Sequence, residues 1–166
     1  FSPTASGVTQ KPRILVDECL SKPALVAINP LLKFGGIEAE IAHQLDIYGQ
    51  GAVDEVWIPQ AAKDGWTIVT ADRGKHSRIK AKLPLLCEAY GVTHILLSAG
   101  LEKRKMAFKA TQFVDNIHGI IAAASSHKGC RYSLQMAGEA SSRLVLIKNP
   151  TPDDIAKVQK KLDLEV

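Results

Sequence analysis

The chain has 166 residues, 46% of them hydrophobic and 23% charged, with a formal net charge of +4 at pH 7. That size suits one domain that buries roughly 70% of its unfolded surface, and the composition excludes a disordered chain or a solenoid. No stretch approaches the roughly 20 apolar residues of a membrane span, and the odd set Cys19, Cys87 and Cys130 has no metal-ligand spacing, so a soluble, cytoplasmic protein with buried free thiols and no membrane partner is expected.

Residues 1–12 lack a signal-peptide pattern and read as a flexible leader or expression remnant, which puts the start of a single domain at residue 13 and its end at 166. Arg13 to Glu18 is a short apolar run that finishes on two acids and predicts a strand. Ser21 caps a helix with Pro23 in its first turn, running toward Gly35-Gly36, and Asn29-Pro30 is expected to bend or break it. Glu38 to His43 reads as a weaker strand and Gln44 to Val53, with Gly49 and Gly51, as a loop.

Asp54, Trp57, Ile58, Ala61 and Ala62 recur at helical spacing, so Asp54 heads the face that buries Trp57 and is aimed inward. Pro59 argues for a helix start nearer Trp57. Gly65 ends that helix, and Thr67 to Asp72 is a third strand. The pattern then predicts a helix over Lys80 to Tyr90, a strand over Thr93 to Ser98 and one long helix from Lys103 to His127. Strands over Tyr132 to Met136 and Leu144 to Ile147 follow, then a helix over Pro152 to Leu162 capped by Thr151 or Asp153. Short β-branched runs alternating with helices imply an α/β fold, a three-layer α/β/α sandwich around a central, mainly parallel sheet.

In such a sheet ligands bind outside the carboxyl ends of the strands, and Asp17, Glu18 and Asp72 fall at those ends with Asp54 between them in sequence. Clustered acids repel and raise each other's pKa unless a cation holds them, and the hard divalent ions Mg²⁺ and Mn²⁺ suit carboxylate oxygen. The chemistry that follows is phosphodiester hydrolysis by metal-activated water, without a Ser, Cys or His nucleophile. Taken singly, Asp54 reads first as a helix N-cap and Asp72 as a turn residue before Gly74, and only together do they favour a site. Thr70 faces the same side of its strand as Asp72 and could hold a water on the metal. The basic run after Asp72 offers Arg73, Lys75, His76 and Arg78 as substrate contacts, or else is a solvated face, and Lys103-Arg104-Lys105 forms a second run.

Leu15-Val16-Asp17-Glu18-Cys19-Leu20, Ile41-Ala42-His43, Asp54-Glu55-Val56-Trp57-Ile58 and the run from Ala61 to Asp72 resemble, in order and spacing, the PIN-domain nucleases, in particular the short PIN-like branch among bacterial toxin–antitoxin proteins. The resemblance covers about residues 13–98. It implies a Mg²⁺- or Mn²⁺-dependent ribonuclease acting on RNA, with Asp17, Asp54 and Asp72 as its acids and Glu18 as a helper, a protein antitoxin that covers the acidic groove, and a tendency to form homodimers. Where the family often carries a further acid and a Phe after the T-x-D turn, this chain has Arg73-Gly74-Lys75-His76, so that ligand is missing or replaced by Glu18 or Glu55. The segment 101–166 exceeds the minimal domain and has no assigned role.

Two other readings compete. A receiver-like phosphoacceptor would use Asp17-Glu18, Asp72, Ser98 and Lys148, but Asp17 and Asp72 stand 55 residues apart and Ser98 and Lys148 stand 50 apart. A catalytically inactive PIN-like module would bind RNA or a protein through its basic surface.

Overall fold

The computed structural model describes residues 10–72, 82–126 and 128–164. In chain order the elements are β1 (Arg13–Val16), α1 (Lys22–Phe34), β2 (Glu40–His43), α2 (Gln44–Tyr48), α3 (Asp54–Asp64), β3 (Trp66–Thr70), α4 (Lys82–Ala89), β4 (His94–Leu97), α5 (Ala99–Glu102), α6 (Met106–Asp115), α7 (Ile117–Ala124), β5 (Arg131–Met136), β6 (Ser142–Lys148) and α8 (Pro152–Lys161). The sheet order is β2-β1-β3-β4-β5-β6, with the first five strands parallel and β6 antiparallel to β5. From β1 the chain first steps outward to β2, then returns across β1 to β3. The carboxyl ends of β1 and β3 therefore flank the point where strand order reverses, the place in such sheets where a crevice opens.

Alternation along the strands feeds two cores. Ile14, Val16, Val69, Ile95, Leu97 and Leu134 pack with Leu25, Ile28 and Leu32 of α1 and with Phe113, Ile117 and Ile120 of α6 and α7. On the opposite face Leu15, Trp66 and Ile68 pack with Trp57, Ile58 and Ala61 of α3 and with Leu83, Leu86 and Cys87 of α4. This is the expected α/β/α arrangement. Cys19, Cys87 and Cys130 are buried and free. Among the described residues no helix is long and apolar enough to cross a membrane.

The structure differs from the sequence expectations at several points. Pro30 lies inside α1 and Pro59 inside α3, and neither ends its helix. Each removes one backbone bond, to the carbonyl four residues earlier, and those residues, Val26 and Glu55, are exposed, so water can serve the freed carbonyl. Gln44–Tyr48 is a short helix rather than loop, because the His43 ring Nδ1 accepts the Leu45 N–H at 3.2 Å and caps it. The long helix expected over Lys103 to His127 is instead two pieces, α6 and α7, preceded by the short α5. Ser98 caps α5, and at Asn116 the side chain donates to the Gln112 carbonyl at 2.8 Å and to Ser142 Oγ at 3.0 Å, which ends α6 and turns α7 onto the sheet.

Candidate active site

A groove of about 770 Å³ opens at the switch point. Asp17, Glu18, Asp54 and Asp72 all line it, from the end of β1, the first residue of α3 and the segment after β3.

Asp17 is fixed at both carboxylate oxygens. Its N–H donates to the Val69 carbonyl at 3.2 Å and extends the β1–β3 ladder by one step. Oδ1 accepts the Cys19 N–H at 2.9 Å, and Oδ2 accepts a short bond from the Thr70 hydroxyl. The same Thr70 oxygen accepts the Asp72 N–H at 2.9 Å, so one hydroxyl sets the relation between two acids. Thr70, expected to hold a water on the metal, is fully buried, and its hydroxyl bonds both neighbours, so it positions Asp17 and Asp72. Burial pushes the Asp17 carboxyl above the usual carboxylate range and the Asp72 charge adds to the rise, while the bonds from Thr70 and Cys19 oppose it. The Cys19 thiol is pushed well up by burial and by Asp17, which makes it a poor nucleophile.

Asp54 is not a helix N-cap. Val53 occupies that position without a side-chain cap, and Asp54 Oδ1 instead accepts the indole N–H of buried Trp57 at 3.0 Å. The i, i+3 spacing thus holds the acid at the mouth of the groove by burying its partner. Partial burial raises the Asp54 carboxyl and so does the Asp72 charge, against the Trp57 bond and Lys82. Glu55, offered as a substitute ligand, is ion-paired with Lys82 and does not line the groove, whereas exposed Glu18 does.

Among the described residues no three acid, histidine or cysteine side chains lie close enough together to chelate one ion, so the four-carboxylate set Asp17, Glu18, Asp54 and Asp72 is not closed around a point in this conformation. The donor chemistry still fits Mg²⁺ or Mn²⁺: the oxygens are hard, two of the acids have raised proton affinity beside a third charge, and Mg²⁺ commonly takes only one or two carboxylates and keeps several waters. Arg73, Lys75, His76 and Arg78, read from the sequence as substrate contacts, lie outside the described residues.

The receiver reading loses its lysine. Ser98 stands at the carboxyl end of β4, but its hydroxyl accepts the Leu101 N–H at 3.3 Å as the α5 cap. Lys148 pairs in register with Arg131 at the opposite, amino edge of the parallel strands, and its Nζ lies 2.5 Å from Glu88. It does not share the groove with Asp72.

Lys103 of the second basic run lines the groove at the end of α5, and beside it stand two charged residues the sequence did not single out, Glu102 at the end of α5 and Lys109 on α6. One signal existed. Met106, Lys109 and Phe113 lie at i, i+3 and i+7, which sets a lysine in the inward stripe of α6.

The family described as "PIN like domain" matches residues 12–87, a span that holds Asp17, Glu18, Asp54 and Asp72 and ends before Glu102, Lys103 and Lys109. No curated protein and no solved structure matches the chain.

Proposed function

The chain carries a PIN-like domain over residues 12–87, the domain of a nuclease family that generally works with divalent metals, and from that premise we propose that it is a metal-dependent endoribonuclease with Asp17, Asp54 and Asp72 as its working acids. The observation that carries the reading is that three acids from three separate elements open on one groove at the switch point, two of them with raised carboxyls. Mg²⁺ or Mn²⁺, when bound there, would activate water and offset charge developing on the phosphate oxygens. Asp17 is held by Cys19 and Thr70, and Asp54 by Trp57, so each carboxylate has a fixed place on the groove wall. Asp72, exposed and held through its backbone by Thr70, lines the same groove, as does exposed Glu18.

The likeness of the motifs to the toxin–antitoxin branch extends the proposal: a cytoplasmic toxin, restrained by a protein antitoxin that covers the acidic groove, and capable of forming a homodimer. The unclosed carboxylate set favours a second reading, an RNA-binding module without cleavage. Mg²⁺-dependent cleavage of RNA by the wild type, falling about 100-fold or more in Asp17→Asn and in Asp72→Asn, is the expected result. Cleavage that persists unchanged in both variants would sink the nuclease, and salt-sensitive RNA binding by an inactive wild type would establish the module.

A further inference from the structure

The groove has an acidic side, from β1, α3 and the segment after β3, and an opposing side from α5 and α6 that brings two lysines together with Glu102. Asp54 comes from α3, on the face of the sheet covered by α3 and α4. Lys109 comes from α6, whose neighbours Met106 and Phe113 pack on the other face, and Lys103 sits at the end of α5, directly after β4. Both lysines line the groove, and neither is ion-paired with a described residue, whereas Lys22, Lys82 and Lys148 each hold a carboxylate. A lysine on the inward stripe of an amphipathic helix is costly to desolvate unless its amine reaches water or an anion. Lys109 is half-buried in that stripe, and its charge is felt at Cys19, beside Asp17.

Resting on the reading of the groove as a nuclease site, we propose that Lys103 and Lys109, supplied by the part of the chain beyond the matched domain, form a phosphate-binding wall that seats the backbone of a single-stranded RNA opposite the acids. A strand lying along the sheet edge would set its phosphodiesters against the two ammonium groups and present the next linkage to Asp17 and Asp72. Lysine suits this task as a compact point charge that follows a flexible backbone without reading bases. The groove has the volume of a small-ligand pocket, which suits a few nucleotides of one flexible strand better than a rigid duplex.

Binding of a short labelled oligouridylate, measured by anisotropy in EDTA across a salt series, tests the wall without requiring cleavage. The double variant Lys103→Ala/Lys109→Ala is expected to bind several-fold more weakly and to lower the slope of log K against log salt by about 1.4, at ~0.7 per phosphate contact on a single strand. Lys160→Ala/Lys161→Ala on α8, outside the groove, is expected to leave affinity and slope at wild-type values. If the alanine pair fails to fold, Lys103→Gln/Lys109→Gln keeps the apolar stems and gives the same readout. Unchanged affinity and slope in a folded double variant overturn the wall, as does equal binding of a duplex of the same length. If the wild type cleaves RNA and the lysine variants bind it normally, the nuclease stands and this inference falls; lysine-dependent binding by a wild type that never cleaves is the reverse case.

Discussion

Asp17 and Asp54 show how a folded chain keeps acids in an unfavourable setting. Both carboxyls are raised by burial and by the Asp72 charge, so folding favours their neutral forms. A carboxyl raised in the folded state contributes stability below its unfolded pKa and loses that contribution as pH rises through the folded value. At neutral pH without metal the ionised pair is therefore destabilising. Asp54→Asn, which retains an oxygen for the Trp57 indole, is expected to stabilise the metal-free protein at pH 7 by about 0.5 kcal/mol, the figure being small because Asp54 is only half-buried and water screens it. Thermal melts at pH 7 and pH 3 check this, since the gain should vanish where both proteins carry a neutral side chain.

Among the elements, the tie between α4 and the last three strands is polar rather than apolar. Buried Glu88 of α4 accepts from Lys148 of β6 at 2.5 Å and from Arg131 of β5 at 3.4 Å. The Arg131 Nε–H also donates to His94 Nε2 at 3.1 Å, and the His94 Nδ1–H donates to the Val92 carbonyl at 3.0 Å, so the ring is held neutral. Burial pushes His94 down to about 4, and the Arg131 charge helps. Because the unfolded ring takes up a proton near its ordinary value and the folded one does not, stability present above pH 6.5 is lost as pH falls toward 4, by on the order of 3 kcal/mol. Urea unfolding across that window, compared between wild type and His94→Gln, isolates the contribution from the opposing acids of the groove. Equal slopes in the two proteins would exclude it.

At the level of the whole molecule the sheet does not stop where the matched domain does. Ile95, Leu97, Leu101, Phe113, Ile117, Ile120 and Leu134 belong to the core that also holds Ile14, Val16 and Val69, and all seven lie beyond residue 87. A fragment ending at Tyr90 would expose the edge of β3 and half of that core. It is expected to show no cooperative thermal unfolding by circular dichroism, whereas residues 10–164 should unfold in one sharp transition. A sharp transition in the fragment would show that β4 to β6 and α5 to α8 are dispensable for folding.

Local chemistry made much of this legible from the chain. Strands of β-branched residues between helical runs, the Ser21 and Thr151 caps, Gly65 in the left-handed conformation after α3, and acids at the ends of β1 and β3 all express short-range preferences that survive folding. Helix breaks at positions such as Asn116 were not legible, because the group that ends α6 is bonded to Ser142, 26 residues away. The edge reached by Lys148 was hidden for the same reason, since only the antiparallel pairing of β6 carries it away from Asp72. Residue type and spacing were enough to mark Asp17, Asp54 and Asp72 as a set. That Thr70 bonds two of them, that Glu55 turns to Lys82, and that two lysines from α5 and α6 line the same groove depends on which surfaces pack together, and packing is long-range, so no local pattern encodes it.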